Sequence, residues 1–297
     1  MLSFKPNFVH PNWPLPTAVI AHDAGAANLI ISWIKSWHWP VYAFVDGPAL
    51  KLWRYTFPNQ MICQSIDEAL SKSSSVVTGT GWASGLEHLA RRKARKYGLP
   101  VAAAIDHWVN YKARFEWEGE KIWPDEFWVA DQWAAHTAQL YLPSRPIHIF
   151  ENLYMKSEVA KISCPPEDGT LLYVLEPVRN NWGRKLQGEF QALDYTLEQL
   201  ERLPGIPIRK IILRPHPSDP VNKYNFYLKS ESRIKLDCNV TISQSISQAD
   251  IVIGVESFAL PLALAAGRPV FSSLPPWAPP LRLPQEGIRE LRRVCLK

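Results

Sequence analysis

The chain has 297 residues, 46% hydrophobic and 21% charged, with four cysteines and a formal net charge of +5 at pH 7. That length predicts two domains, residues 1–160 and 161–297, and no apolar stretch approaches the ~18 residues of a membrane span. Cys63, Cys164, Cys238 and Cys295 lack CxxC spacing, which argues against a zinc site and a disulfide framework, and the modest charge gives no reason to expect a nucleic-acid partner.

The first half alternates short apolar strands with helices. Strands are predicted at residues 17–21, 41–45, 75–79, 101–105 and 126–130, and helices at 26–37, 85–97 and 132–141. Proline-rich residues 143–169 read as a linker. The rhythm then resumes, with strands at 171–175, 209–213, 240–243, 251–255 and 269–272 and helices at 185–203 and 257–266. Apolar strands separated by helices indicate parallel sheets covered on both faces, and two such halves predict an α/β chain of two Rossmann-like doubly wound domains facing a cleft. Met1 to Pro16 lacks the apolar segment of a secretory signal, so a cytoplasmic protein is expected. The basic run from Arg91 to Lys96 lies on a predicted helix. It reads as a solvated face, the alternative being a peripheral contact with anionic lipid at the inner membrane face. Thirteen tryptophans read mostly as core, although indole rings also stack on sugars.

In a doubly wound sheet, ligands bind outside the carboxyl ends of the strands, so the polar breaks that follow apolar runs are the places to search. The run Ile211–Leu213 breaks into Arg214-Pro215-His216-Pro217, and Ile251–Val255 breaks into Glu256-Ser257. Two prolines stiffen the turn around His216, whose imidazolium would neutralise a departing phosphate beside a bidentate Arg214. Glu256 suits the hydroxyls of a ribose or sugar. Ser257 opens a predicted helix, where a hydroxyl and free N–H groups can seat phosphate. Arg179, in the loop after the first strand of the second half, is a further phosphate candidate. In the first half, His22-Asp23-Ala24-Gly25 lacks the GxGxxG pattern, but Gly25 permits close approach to the helix start. Asp23 is either a general base or a helix cap. Trp82 lies in a glycine-rich turn, and the dense mix of Asp106, His107 and Arg114 after a strand suits a pocket for a polar acceptor.

The Arg-Pro-His-Pro turn at 214–217, with Glu256-Ser257 ahead of an alanine-rich helix and Gly267-Arg268-Pro269-Val270, resembles the C-terminal half of glycosyltransferases of the GT-B fold. The resemblance is nearest to bacterial sialyltransferase-like and Kdo-transferase-like enzymes, which use CMP-activated acidic sugars in capsule and lipopolysaccharide synthesis. It implies that His216 and Ser257 contact the nucleotide phosphate and that Asp23 supplies the base, a role for which the loop after the fourth strand offers Asp106 as the alternative. It further implies a nucleotide sugar and a glycan or lipid-linked glycan as partners, and because the strand-end loops hold no clear Asp-x-Asp pair, neither metal nor cofactor is expected. His22-Asp23-Ala24-Gly25 departs from the paired acidic residues of the sialyltransferase motif. Related readings on the same fold are a UDP-sugar 2-epimerase or hydrolase, a CDP-polyol phosphotransferase and a catalytically degenerate nucleotide-binding protein.

Overall fold

The computed structural model describes residues 12–82, 84–205 and 207–294; Cys295 and the first eleven residues of the stretch read for a signal lie outside them. The chain divides into two compact units, Met1–Tyr154 and Met155–Lys297. Among the described residues no helix is long and apolar enough to cross a membrane.

Unit 1 runs β1 (Thr17–Ala21), α1 (Ala24–Trp37), β2 (Val41–Val45), α2 (Gly47–Thr56), α3 (Ile66–Ser71), β3 (Ser75–Thr78), α4 (Leu86–Lys96) and β4 (Val101–Ile105). A short hairpin, β5 (Glu116–Trp117) and β6 (Glu120–Lys121), precedes β7 (Glu126–Val129), α5 (Gln132–Tyr141) and β8 (Ile147–Ile149). The main sheet has the order β2-β1-β3-β4-β7-β8, with every pair parallel. Side chains alternate across it. Val19, Ala21, Val77, Ala102 and Ala104 pack on the α1 side with Trp33 and Trp128, whereas Ala18, Ile20, Val76 and Val101 pack under Ala69, Leu70, Ala90 and Ala94 of α3 and α4. Trp33, Trp37, Trp39, Trp128 and Phe150 form one aromatic cluster, mostly edge-to-face with Trp33 stacked on Trp37, so Trp33 and Trp128 are core and Trp37 and Trp39 pack against it.

α6 (Leu153–Val159) carries the chain onward to β9 (Thr170–Val174), α7 (Gly188–Gln199), β10 (Lys210–Arg214), α8 (Asn225–Ser230) and β11 (Ile234–Leu236). Then follow α9 (Ile242–Ser247), β12 (Ile251–Gly254), α10 (Ala259–Ala265), β13 (Val270–Ser272), β14 (Ile288–Glu290) and α11 (Leu291–Val294). The second sheet is also parallel throughout, in the order β11-β10-β9-β12-β13-β14. Its strand order is that of a dinucleotide-binding fold, reversing between β9 and β12; unit 1 reverses between β1 and β3. Both units are therefore Rossmann-like and doubly wound.

Two expectations fail locally. The stretch read as a linker contains β8 and α6, because three residues, Ile147–Ile149, suffice to pair with β7 and lead Phe150 into the aromatic cluster. The strand expected at 240–243 is the start of α9. Its β-branched residues are overridden by a capping box, in which Thr241 accepts from the Gln244 N–H and Gln244 accepts in return from the Thr241 N–H.

The start of β9 is pinned by one buried carboxylate. Asp250 accepts from the N–H groups of Glu167 (2.6 Å), Gly169 (2.8 Å) and Thr170 (3.0 Å). Asp250→Ala leaves the Glu167 and Gly169 N–H groups without this partner while Thr170 keeps Asp168 Oδ1, and the expected loss is about 2–4 kcal/mol in chemical denaturation; a loss under about 0.5 kcal/mol would refute this role.

Candidate functional site

Each unit gathers polar side chains at the point where its strand order reverses. In unit 2, β9 leads into Glu176 and β12 into Glu256, and because β9 lies between β10 and β12, Glu176 occupies the centre of the edge. Its Oε1 accepts from the Glu256 N–H at 2.9 Å. The Glu256 carboxylate accepts from the Arg282 backbone N–H (2.7 Å), Nε (2.9 Å) and Nη2 (2.5 Å). A cavity of about 400 Å³ opens here, lined by Glu176, Arg179, Trp182, Glu256 and Arg282 together with Pro177, Pro279 and Pro280. Burial pushes the Glu176 carboxyl up to about 7. The Glu256 charge adds to this, while the Glu256 N–H and Arg282 oppose it.

The wall of that cavity is tied to the His216 turn by a buried chain of charges. Glu189 accepts from the Val178 N–H (2.7 Å) and pairs with Lys223 (2.6 Å), which pairs with Asp219 (2.6 Å). Asp219 in turn accepts from the His216 N–H (2.9 Å) and the Tyr224 hydroxyl (3.2 Å). His216 Nδ1 lies 2.7 Å from Ser218 Oγ. Burial lowers the His216 pKa below its usual 6.5, and Lys223 lowers it further against the pull of Asp219. Burial and Lys223 thus work against the imidazolium to which the sequence pointed.

Two other expected phosphate contacts are already engaged. Arg214 pairs with Asp237 (2.6 Å) and donates to Ser245 Oγ (2.8 Å) and Asn239 O (3.1 Å), so its charge is balanced and it ties the end of β10 to the segment after β11. Ser257 Oγ accepts from the Ala259 N–H at 3.3 Å, inside the first turn that it was expected to open. Arg179, by contrast, is exposed on the cavity. Arg282 was missed in the sequence, since nothing local marks it; it lies 26 positions beyond its partner Glu256.

In unit 1, His22 and Asp23 end β1. Nδ1 of His22 lies 2.7 Å from Asp23 Oδ1, while Asp23 Oδ2 accepts from the Trp82 N–H at 2.9 Å. With Nδ1 directed at the carboxylate, Nε2 is the imidazole atom left to accept a proton. Gly47, at φ +53°, leaves it room: a Cβ there would stand 2.5 Å from Nε2. The His-Asp adjacency at a strand end was the available signal for His22. Gly81 is equally constrained, because a Cβ would lie 2.2 Å from Asp23 Oδ2; at Gly25 it would lie 1.8 Å from Asp106 Oδ2.

Asp106 pairs with Arg114 at 2.7 Å, and Arg114 is 5% exposed, donating also to Thr80 O and Val109 O. Arg114 is thus a strut beneath the Trp82 ring, at 5.2 Å from its centroid, rather than an open contact for a ligand. The His107 ring lies against Trp108, with 5.4 Å between centroids, and the Trp82 ring is half exposed. Among the described residues, no three His, Cys, Asp or Glu side chains are grouped to hold a metal ion.

No family model matches the sequence, and no curated protein matches it closely. Solved structures do match. UDP-GlcNAc 2-epimerase from Neisseria meningitidis, bound to UDP-GlcNAc, aligns with a TM-score of 0.62 at 12% identity, covering 94% of this chain and 89% of that one. MnaA of S. aureus with UDP aligns with a TM-score of 0.58 at 14% identity over 86% and 78%. A glycosyltransferase of kitacinnamycin gives a TM-score of 0.48 at 11% identity over 87% and 80%. The fold is GT-B. At these identities the likeness fixes the architecture and leaves the chemistry to the residues themselves.

Beneath the unit 1 site lies Glu87, 1% exposed, accepting from the His22 N–H at 2.8 Å. Burial pushes its carboxyl up from 4.5; the His22 N–H opposes this, and the Asp23 charge adds to it. The folded chain therefore holds a proton that the unfolded chain releases, and stability falls as pH rises from 4.5 through the folded value. Glu87→Gln removes that penalty. The expected result is a variant whose melting temperature gains on the wild type as pH is raised above 4.5; a constant difference across pH would contradict it.

Proposed function

We propose that this chain is a nucleotide-sugar-dependent glycosyltransferase that holds the donor in the unit 2 cavity. The observation that carries the reading is that cavity, at the strand-order reversal where doubly wound sheets bind nucleotides, with two arginines on its wall. Its volume of about 400 Å³ suits a small-molecule site. Arg179 and Arg282 meet the phosphates, Glu256 orients Arg282, and Trp182 offers a ring for a base or sugar to stack on. His216 serves as a hydrogen-bonding group, and Ser257 keeps its place at the turn that leads into α10.

Charge on the departing nucleotide is met by the exposed Arg179 and by N–H groups that Arg282 can turn from Glu256, so the proposed chemistry requires no metal. In unit 1, His22 Nε2 takes the proton of the acceptor hydroxyl and Asp23 stabilises the imidazolium that forms. Asp106 and Arg114 hold the surrounding turns, and Trp82 and His107 remain contacts for a glycan or lipid-linked glycan acceptor. Two of the matching structures carry UDP or UDP-GlcNAc, so uridine donors come ahead of the CMP-linked acidic sugar indicated by sequence resemblance.

A second reading, a UDP-sugar 2-epimerase, is favoured by the extent of the match to the Neisseria enzyme, which covers 94% of this chain. Turnover separates the two, because an epimerase consumes UDP-GlcNAc without an acceptor whereas a transferase releases UDP only when one is present.

Thermal shift against UDP, CMP, GDP and ADP is the binding test. A stabilising shift that Arg282→Ala reduces, with affinity down about tenfold or roughly 1.4 kcal/mol, is expected; no shift with any nucleotide refutes the reading. Once turnover is found, His22→Ala should lower kcat by about 10²–10⁴ while nucleotide affinity stays unchanged. A kcat within a few-fold of wild type removes His22 as the base.

A further inference from the structure

The cavity of unit 2 has two carboxyl groups and one guanidinium in direct contact with either of them. Glu256 engages Arg282 through Nε, Nη2 and the backbone N–H, so its charge is matched. Glu176 is held beside it by the Glu256 N–H on Oε1, and its Oε2 takes no hydrogen bond from the described residues. The other groups around Glu176 are the exposed Arg179, on its own loop, and Tyr173, whose buried hydroxyl donates to Ser273 Oγ at 2.9 Å. A phosphate entering this space meets a carboxyl that would repel it if ionised and donate to it if protonated.

We infer that Glu176 is a ligand-binding carboxyl that takes up one proton from solvent when a phosphorylated ligand enters the cavity, donating its O–H to a ligand oxygen. The inference rests on the assignment of this cavity to nucleotide. Burial already holds the free carboxyl near neutrality, at about 7, and an anion alongside raises it further. Between the free and bound values each complex gains a proton, and affinity falls by up to tenfold per pH unit as pH rises. His216 is held below 6.5, and the terminal phosphate of a nucleotide ionises near pH 6.

The experiment is calorimetric titration of the whole chain with UDP and with CMP from pH 7 to 9, in buffers of different ionisation enthalpy. The wild type should take up close to one proton near pH 8 and lose affinity with rising pH. Glu176→Gln preserves an acceptor for the Glu256 N–H and supplies an amide donor, so it should bind with no uptake, a flat pH profile and tighter affinity than wild type at pH 8.5.

Should that variant fold poorly, the carboxyl is read directly, as the carbon shift of Glu176 in labelled wild-type protein with and without nucleotide. A midpoint that does not rise on binding overturns the inference. Binding without proton uptake overturns it while leaving the nucleotide site standing, and a slope that persists in Glu176→Gln assigns the proton elsewhere. Failure of both nucleotides to bind at any pH removes the nucleotide site and the inference together.

Discussion

One constraint organises the chemistry of each unit: parallel strands all end on the same edge, and the strand order reverses only once. Beside the reversal, successive crossover connections leave toward opposite faces, and the edge between them stays uncovered. His22, Asp23 and the Gly79–Gly81 turn occupy that opening in unit 1, and Glu176 and Glu256 occupy it in unit 2. The residues at these places are polar because the backbone there lacks a covering layer, and they are ordered because the strands behind them are buried.

Placing so many charges at sheet edges requires compensation below them. In unit 2 this is the sequence Glu189, Lys223, Asp219, which joins the wall of the cavity to the turn that carries His216. Both carboxylates are 2% exposed, so neither can lose the ammonium without leaving a buried charge unpaired. In unit 1 the pair Asp106–Arg114 plays the same part, with the guanidinium buried under Trp82. Several side chains that look like ligand contacts in the sequence are such struts. Arg114 and Arg214 have the chemistry of a phosphate clamp, but each is largely buried against a carboxylate of its own, whereas Arg282, also paired, keeps about half of its side chain exposed.

The sequence was legible where the physics was local. Apolar runs located the long buried strands β1, β4, β9 and β12 to within a residue or two, and the alternation with helices revealed the two doubly wound units. Asp46-Gly47-Pro48 before α2 and Ser65 with Glu68 in α3 carried readable caps that went unread. The valine-threonine-isoleucine run at 240–242 misled because strand propensity and a capping box compete there, and the box prevails.

What sequence could not supply was which strand lies next to which. Without the position of β9 between β10 and β12, Glu176 had no special place and Arg282 had no partner, and the choice between Asp23 and its neighbour His22 depended on which oxygen and which nitrogen face one another. Arginines in a cavity are likewise indistinguishable from arginines in a strut until their exposure is seen.

The placement of tryptophan has an optical consequence. Eleven of the thirteen lie before residue 155, and the two in unit 2 are Trp182, on the cavity wall, and Trp277, under the Arg184 guanidinium at 3.5 Å from its ring centroid. Unit 1 therefore dominates absorbance and emission, with clustered rings such as Trp33 and Trp37, 5.9 Å apart, close enough to exchange excitation. The indoles of unit 2 form a small, separate set of chromophores, one at the cavity and one beside the loop that bounds it. Replacing the pair would leave a protein whose fluorescence reports on unit 1 alone, and the difference spectrum would isolate the surroundings of the cavity.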